Sequence, residues 1–406
     1  MSIFEGFLST PEVLDAFSDH HFVDAMLRFE AALARAQAQL GLIPESAAHS
    51  IVGSCKVELF DVAKIVRDSG RAGSVAIPLV KSLKEAVGLF NGDAVPYVHF
   101  GSTSQDVIDS AMALVTRNAV QLIDADLGKA IEALLQHAKH HAQTPMLART
   151  LMQPASVTSF GLKCVNWAAP LVRSRARIDE AARHALKLQL GGAVGTLAQM
   201  KSQGPDVRAR MAQDLGLADA GGAWHTQRDE WVALGCELGI LVGSLGKIAG
   251  DIALMGQYEV GELAEPSEPG RGGSSAMPHK RNPVASMVAL AAAQRAPQRV
   301  AALLAAMPQE HERALGAWQA ELAEWPQLLM SAHGSVRALA GALPGLQVDV
   351  ARMRANIDGL RAELPREAAD EWFDPALSQP AGAIALAQIE ALRAQAAVGA
   401  GKEATR

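Results

Sequence analysis

The feature that most constrains the fold is a long stripe of apolar residues that recurs at spacings of three and four. Its members are Trp231, Leu234, Leu238, Leu241, Leu245, Ile248, Ile252 and Met255. This spacing is typical of a coiled-coil seam, and it predicts one helix from about Asp229 to Glu262.

Glycines on a second face of this helix indicate close helix packing. Each glycine costs about 1 kcal/mol of helix propensity, so a close approach of neighbouring helices must compensate. A helix buried on two faces lies at the centre of a bundle, and this one is longer than a small domain can cover. We infer an extended bundle that oligomerises through its long helices. The glycines are Gly235, Gly239, Gly243, Gly246 and Gly250.

Further long helices are predicted on both sides of this one. A segment from about Asp106 to Gln143 lacks proline and predicts a helix about 55 Å long. Another helical stretch runs from near Pro283 to about Leu343, with interruptions expected at Pro297 and Pro308. Nearer the N-terminus, apolar spacing predicts a helix over 22–40 that ends at Gly41 and Pro44, with Thr10-Pro11-Glu12 as the N-terminal signal ahead of it. No segment shows the period-two alternation of a strand.

The predicted architecture is therefore all-α. We expect an N-terminal helical domain over residues 1–100 and a central long-helix bundle over residues 101–345. A small C-terminal region over residues 346–406 has a weaker helical pattern, so it is expected to be shortened and partly disordered. Segments rich in Gly, Pro and Ser, His99–Asp106 and Glu265–Pro283, separate the long helices and are the candidate functional loops.

Composition excludes several classes of function. The net charge is −6, so the chain lacks a global basic field for nucleic acid or anionic lipid. The longest uncharged stretch, Pro375 to Ile389, is shorter than the roughly 20 residues of a membrane span. Glu5 and Glu12 argue against a secretory signal. The three cysteines are widely spaced, which is typical of reduced thiols in a cytoplasmic protein, and their spacing does not match a zinc motif.

The most informative loop is GRGGSSAMPHKRNP, at residues 270–283. It is too rich in Gly and Pro to be helical, and it brings hydroxyls, a lysine and an asparagine within nine residues. It directly precedes a predicted helix N-terminus, whose unpaired N–H groups favour anions. A surface linker is the alternative, but Pro278 and Pro283 bracket Lys280 and fix the geometry around it.

Three segments resemble the signature regions of the fumarase/aspartase superfamily, which includes adenylosuccinate lyase and argininosuccinate lyase. GSSAMPHKRNP is similar to the motif GSSxMPxKxNP of that superfamily. VHFGSTSQDVIDSA at 98–111 and ARTLMQPASVTSFGLK at 148–163 resemble its other two regions. GGAVGT at 191–196 and TQRD at 226–229 are similar to the same branch, so the resemblance covers roughly residues 1–345.

Within the superfamily, QEHERALGAWQAE at 309–321 and WHTQRDEW at 224–231 resemble the 3-carboxy-cis,cis-muconate cycloisomerase branch of bacterial protocatechuate breakdown, the β-ketoadipate pathway. The resemblance implies an enzyme that cyclises this tricarboxylate to a carboxymuconolactone without a metal or organic cofactor. It also implies a homotetramer with a core of twenty helices, in which each active site is shared by three subunits.

The resemblance assigns roles residue by residue. Ser274 matches the catalytic acid/base, which must be activated because a serine hydroxyl is a poor base. Lys280 and Asn282 match residues that bind a substrate carboxylate and the enolate-like charge that develops on it. The remaining positions match or suggest substrate-binding residues, with caps or surface residues as the alternative: Ser102, Thr103, Ser104, Thr150, Gln153 and Arg313.

One position departs from the superfamily. Where the lyases carry a histidine after Arg-Thr, implicated as the acid that protonates the leaving group, this chain has Leu151. Expulsion of an amine or hydroxide benefits from such an acid, whereas a carboxylate is stable at pH 7 without protonation. Leu151 therefore favours a cycloisomerase over a fumarate-releasing lyase of the adenylosuccinate type. The other alternative is a non-catalytic scaffold of the superfamily, against which the presence of Ser274, Lys280 and Asn282 argues.

Several histidines are weaker candidates. His99 lies inside a signature region and either touches substrate or makes a structural hydrogen bond. A cluster at 137, 140 and 141 could hold a metal, but it is more typical of a helix C-terminus. GGAVG at 191–195 follows no predicted strand, so a dinucleotide site is not expected.

Overall fold

The computed structural model describes residues 3–268, 270–274 and 276–401. The C-terminal region was expected to be partly disordered, and its last residues, 402–406, lie outside the described ranges. The described chain is mainly helical, and we label its α-helices α1 to α15 in chain order. They are α1 Ile3–Gly6, α2 Pro11–Ala16, α3 Asp19–Gln39, α4 Glu45–Ser54, α5 Val62–Ala72, α6 Ala76–Gly88, α7 Ser104–His140, α8 Phe160–Ala185, α9 Gly204–Leu215, α10 Asp229–Met255, α11 Val284–Ala305, α12 Ala317–Ala342, α13 Val350–Glu363, α14 Arg366–Phe373 and α15 Ser378–Gly401.

The predicted all-α architecture is confirmed, although a few short strands that no sequence alternation predicted are present. An antiparallel hairpin follows α7, with a bulge between Ala148 and Arg149. Four two-residue strands form two further pairs, Lys187–Leu188 with Ala218–Asp219 and Leu263–Ala264 with Gln347–Val348. The strands are β1 Pro145–Thr150, β2 Gln153–Ser159, β3 Lys187–Leu188, β4 Ala218–Asp219, β5 Leu263–Ala264 and β6 Gln347–Val348. Short 3-10 turns occur at Val57–Leu59, Gly92–Tyr97, Ala198–Gln203, Leu343–Gly345 and Pro375–Leu377.

The core is a bundle of five long helices. Arg228, just before α10, donates to Asp109 near the start of α7 and to Glu321 near the start of α12. Helices α7, α10 and α12 therefore start at the same end of the bundle and run in the same direction. Helix α8 runs against α10, since Lys163 at its start pairs with Asp251 near the end of α10. Helix α11 also runs against α10. The bundle therefore has two distinct ends, separated by about 40 Å, the length of the 27-residue α10.

The glycines of α10 pack against neighbouring helices, as predicted. A Cβ added at Gly235 would meet Leu303 at 2.8 Å, and one at Gly239 would meet Val300 at 2.7 Å. At Gly246 it would meet the Cβ of Ala293 at 2.5 Å. Close packing on α11 and α12 thus compensates the cost of glycine in the helix. Gly243 differs, because nothing in the described structure lies within 4 Å of its added Cβ.

Helix α10 keeps one open face. Ala233, Ile240, Gly243 and Leu254 are exposed and share that face with Lys247, and Ile240 retains 48% of its accessible surface. By length and composition α10 is the one described helix that could cross a membrane, but half of its most apolar window is buried inside the bundle. The apolar stripe from Trp231 to Met255 is fully buried.

Other helix boundaries partly match the predictions. The long helix expected over 106–143 is α7, whereas α10 ends at Met255, earlier than expected. The interruption expected at Pro297 is wrong, because α11 continues through it; the break at Pro308 is confirmed by the loop between α11 and α12.

Thr10 caps a short separate helix, α2, by accepting a hydrogen bond from the Val13 amide, while Ser18 caps α3. Thr10 is therefore the N-cap of α2, and the predicted helix over 22–40 has a different N-cap, Ser18. The last helix, α15, returns to pack on α7 and α8 of the bundle.

Candidate functional site

A polar cradle lies at the start of α7. The guanidinium of Arg313, in the loop before α12, donates to the hydroxyl of Thr103 at 2.7 Å, to the hydroxyl of Ser104 at 2.9 Å and to the side-chain oxygen of Gln105 at 3.3 Å. In the described part of the chain, no carboxylate lies within ion-pair distance of Arg313. A half-buried cation held only by neutral oxygens can bind an anion.

Buried Asp106 holds the cradle in shape. Its carboxylate accepts the Thr103 amide at 3.1 Å and, from the segment after α8, the amides of Gly191 and Gly192 at 3.0 and 2.9 Å. The His225 ring lies 2.7 Å from the same carboxylate. One side chain thus ties together three segments that are distant in the sequence. Sequence reasoning missed this role for Asp106, although the residue stands inside the quoted motif.

A second buried network braces the floor of the cradle. Arg228 donates to Asp109 at 3.0 Å and to Glu321 at 3.1 Å, and all three are almost completely buried. Trp318 donates to Asp109 at 2.9 Å. Burial raises the pKa of Glu321, although Arg228 opposes the shift. Gln105 joins this network to Arg313, because its amide nitrogen donates to Asp109 at 3.2 Å.

His99 lies just before the cradle. Its Nδ1 is 2.5 Å from the carboxylate of Glu30 on α3, which is fully buried. Burial by itself lowers the pKa of His99, but the charge of Glu30 and its hydrogen bond outweigh this effect, so the pKa is raised. The hydrogen bond expected as one alternative is present at Nδ1, and the other ring nitrogen has no partner among the described residues.

The loop before α11 projects from the opposite end of the bundle. Its base is closed by the Asn282 amide, which donates to the Gly272 carbonyl at 2.8 Å. Gly272 has φ +69°, and an added Cβ would lie 2.5 Å from the Asn282 carbonyl, so glycine is required there. The Ser274 hydroxyl accepts the amides of Ala276 at 3.3 Å and Met277 at 3.0 Å. Lys280 and Asn282 are exposed.

The expectation that the N-terminus of α11 offers free amides to an anion is wrong. Glu265 already occupies this position, since its carboxylate accepts the Ala285 amide at 2.9 Å and the Ser286 amide at 2.8 Å. The Ser286 hydroxyl donates to the same carboxylate at 2.8 Å. An internal carboxylate therefore caps this helix.

The tip of the β1–β2 hairpin carries the second signature region. Thr150 and Gln153 pair across it, and both are exposed. Leu151 and Met152 form the turn with positive φ values of 50° and 68°, which residues with a Cβ rarely adopt. Leu151 is 97% exposed, so the side chain that replaces the histidine of the lyases contacts almost nothing in its own chain.

The structure brings some of the expected residues together and separates others. Arg313, Thr103 and Ser104 meet at one end of the bundle. Ser102 lies beside them, where its hydroxyl donates to Asp106 and its amide donates to the His99 carbonyl. The hairpin and the Ser274 loop lie at the other end, because Arg149 of the hairpin pairs with Glu262 after α10. Among the residues described, no hydrogen bond or ion pair links Ser274, Lys280 or Asn282 to the cradle.

The histidines at the end of α7 have structural partners. His137 lies 2.8 Å from the Leu343 carbonyl, and His141 lies 3.1 Å from the Thr144 hydroxyl. Burial, with His140 and His137 nearby, lowers the pKa of His141 to about 4. Over the described ranges, no cluster of three metal-ligating side chains has the geometry for a metal ion.

Comparison with known proteins gives consistent matches. A family model described as "Lyase" matches residues 8–297. A 3-carboxy-cis,cis-muconate cycloisomerase of Bradyrhizobium diazoefficiens is 46% identical over 361 residues, which cover 89% of this chain and 80% of that protein. A nitrosuccinate lyase of Streptomyces davaonensis is 41% identical over 90% of this chain and 78% of its own. The crystal structure of the 3-carboxy-cis,cis-muconate lactonizing enzyme from Pseudomonas putida superimposes with a TM-score of 0.87 at 36% identity, covering 96% of this chain and 99% of that one.

Proposed function

The chain belongs to the lyase family, and from this membership we propose that it is an enzyme that cyclises 3-carboxy-cis,cis-muconate to a carboxymuconolactone. The observation that carries the proposal is the 46% identity to a cycloisomerase named for this substrate, over most of both chains. The geometry of the two polar regions is compatible with each chemical step.

Binding begins with the carboxylates of the substrate. Arg313 offers a planar cation that is neutralised by no carboxylate in the described structure, and Thr103 and Ser104 add hydroxyls beside it. A guanidinium can grip one carboxylate through two parallel hydrogen bonds. This contact orients the substrate so that another of its carboxylates faces the double bond it will attack.

The chemical step forms one C–O bond and one C–H bond. The attacking carboxylate oxygen adds to the double bond, and the electron pair moves onto the carbon next to a neighbouring carboxylate, giving an enolate-like anion. Lys280 and Asn282 stabilise this charge, and the Ser274 hydroxyl gives its proton to the carbon. The resulting alkoxide is stabilised by the amides of Ala276 and Met277, which already point at the serine oxygen.

Leu151 fits this reaction. An ionised carboxylate needs no base to add to the double bond and no acid to leave it. A residue that transfers a proton at this oxygen is therefore not required. The turn formed by Leu151 and Met152 is apolar and exposed, and it can cover a site contributed by another subunit.

The active site is shared between subunits of a homotetramer. The cradle and the Ser274 loop lie at opposite ends of the bundle, about 40 Å apart, so one chain cannot bring them to the same substrate molecule. The open and mainly apolar face of α10, with Lys247 as its charged member, provides a surface through which bundles can associate. We place the enzyme in the cytoplasm, because its three cysteines are unpaired.

The deciding experiment follows the ultraviolet absorbance of 3-carboxy-cis,cis-muconate after the purified protein is added. Cyclisation removes the conjugated diene, so we expect rapid bleaching. A parallel cuvette contains adenylosuccinate. Cleavage of adenylosuccinate with no bleaching of the muconate would overturn the proposal, and activity on neither substrate would argue for another small carboxylate or for a protein without this chemistry.

A second candidate is a lyase acting on a substituted succinate. The specific observation in its favour is the 41% identity to a nitrosuccinate lyase. Nitrosuccinate in a third cuvette separates the two candidates, since the protein should act faster on its own substrate.

A further inference from the structure

We propose that Glu30 is a positioning residue that keeps His99 protonated, so that the free ring nitrogen of His99 binds a second carboxylate of the substrate beside Arg313. The proposal rests on the proposed function. It assigns a role to a buried acid that none of the signature segments contains.

The geometry fixes one edge of the imidazole and leaves the other free. Glu30 Oε1 is 2.5 Å from His99 Nδ1, the carboxylate is fully buried, and the His99 side chain is 17% exposed. Among the described residues, His99 Nε2 has no hydrogen-bond partner. The buried edge of the ring therefore faces the acid, and the other edge is available to a ligand.

The buried carboxylate requires a cation. Glu30 Oε2 is buried and has no hydrogen-bond partner in the described structure, so His99 is the group that compensates the charge of this acid. An ionised carboxylate buried without a counter-ion is strongly destabilising. While Glu30 is ionised, the protonated ring is therefore the favoured form of His99.

Other charges around the pair are few. Asp106 on α7 also raises the pKa of His99, while Lys84 on α6 lowers it. Near Glu30, the pKa of the Cys55 thiol is raised chiefly by burial. Glu30 raises this pKa further, and Arg35 lowers it. Two acids and one lysine thus face the imidazole, and this balance favours the charged ring.

The backbone at His99 supports a functional position. His99 has φ +62°, which a residue with a Cβ adopts only when its surroundings hold it there. The side-chain amide of Gln37 holds the next residue by donating to the Phe100 carbonyl at 2.7 Å, and the His99 carbonyl accepts the Ser102 backbone amide at 3.3 Å. The turn that strains His99 is therefore the same turn that begins the cradle.

The chemistry of the ligand follows from these charges. A substrate with three carboxylates needs more than one cation, and Arg313 supplies one in the cradle. A protonated imidazole donates a charge-assisted hydrogen bond from Nε2. Because the pKa of His99 is raised in the folded protein, the contact is complete below the ordinary histidine pKa and is lost as the pH rises through the raised value.

The test compares Glu30→Gln, which keeps the shape but removes the charge, with Glu30→Asp, which keeps the charge. Asp24→Asn is the matched control, since it removes a half-buried carboxylate from the same helix α3. KM and kcat for 3-carboxy-cis,cis-muconate are measured from about pH 6 to about pH 9. NMR follows the titration of the His99 ring with and without propane-1,2,3-tricarboxylate.

We expect the rise of KM with pH to begin at lower pH in Glu30→Gln. Its KM near pH 8 should be about tenfold higher, with kcat within about twofold, because one charge-assisted hydrogen bond is lost in binding. Glu30→Asp should restore most of the affinity, and Asp24→Asn should resemble the wild type. In the wild type, the tricarboxylate should raise the pKa of His99 further.

A folded Glu30→Gln with an unchanged KM profile would overturn the proposal, and so would a loss of kcat independent of pH, which indicates a structural role alone. If the wild type does not cyclise the muconate, the proposed function fails. The NMR titration then still decides whether Glu30 keeps His99 protonated and whether a tricarboxylate binds it. An unshifted His99 titration in Glu30→Gln, or no response to the tricarboxylate, contradicts the proposal whatever the catalysed reaction is.

Discussion

The cradle and the Ser274 loop lie at opposite ends of one bundle and are supported in different ways. Under the cradle, Asp106 and the ion network of Asp109, Arg228 and Glu321 are buried and hydrogen-bonded to several segments. The loop is held by its own turns, and Lys280 and Asn282 are open to solvent. The group that we propose as the anion-binding site is therefore held in place before any ligand arrives.

The two regions are suited to different tasks in the reaction. A preorganised cradle binds with little loss of side-chain entropy, whereas an exposed loop can adjust as the substrate is enclosed. Removal of a loop residue should therefore affect the rate and spare the fold, and removal of a residue from the buried network should affect the fold first.

The largest effect is expected for Ser274→Ala. Loss of the proton donor should lower kcat by about 10²–10⁴-fold, because this is the usual contribution of a positioned acid or base. The fold should be kept, since the hydroxyl accepts only two amides within its own loop. Turnover and the circular dichroism spectrum are measured together, with Ser267→Ala as a control in the exposed segment just before the loop. An active Ser274→Ala would remove this serine from the mechanism.

Subunit mixing tests whether the cradle and the Ser274 loop of different chains form one active site. Ser274→Ala and Arg313→Ala should each be inactive, but co-refolded subunits should recover about a quarter of the sites if the two residues come from different chains. No recovery in a mixture that does assemble would mean that a single chain supplies both residues.

The next largest effect is expected for Arg228→Met. This change leaves Asp109 and Glu321 buried without their cation, so the free energy of unfolding should fall by about 3–5 kcal/mol. Denaturant unfolding measures the change. The control is Arg354→Met, which breaks an exposed pair with Asp358 and should cost under about 1 kcal/mol. Equal losses in the two variants would show that the cradle is not supported by its buried network.

The smallest effect is expected for Leu151→His. The departing or attacking group is a carboxylate, so an added imidazole should change kcat/KM for the muconate by no more than about twofold. The exposed turn can accept the substitution without repacking. A tenfold gain in cyclisation would contradict the argument from the leaving group.

The sequence predicted the bundle well because its signals are local. The stripe from Trp231 to Met255 and the glycines beside it specify α10 and the faces that it buries. The hairpin was missed because its two strands lack alternation and because Leu151 and Met152 are unusual residues for a tight turn.

The candidate site could be predicted only in part. The motif around Ser274 is long and specific, so its resemblance is visible without a structure. The pairing of Glu30 with His99, and of Asp109 with Arg228 and Glu321, joins positions far apart in the chain. No spacing rule connects such residues, because their proximity is created by helix packing.

The open face of α10 has a consequence for how the protein behaves in a cell. In the tetramer that we propose, association through Ile240 and Leu254 would stabilise the fold, so the folded fraction would follow mass action. On dilution, such an assembly would lose specific activity although each chain remains covalently intact. Substitutions on this face, far from both polar regions, would then inactivate the enzyme by raising the protein concentration at which its subunits assemble.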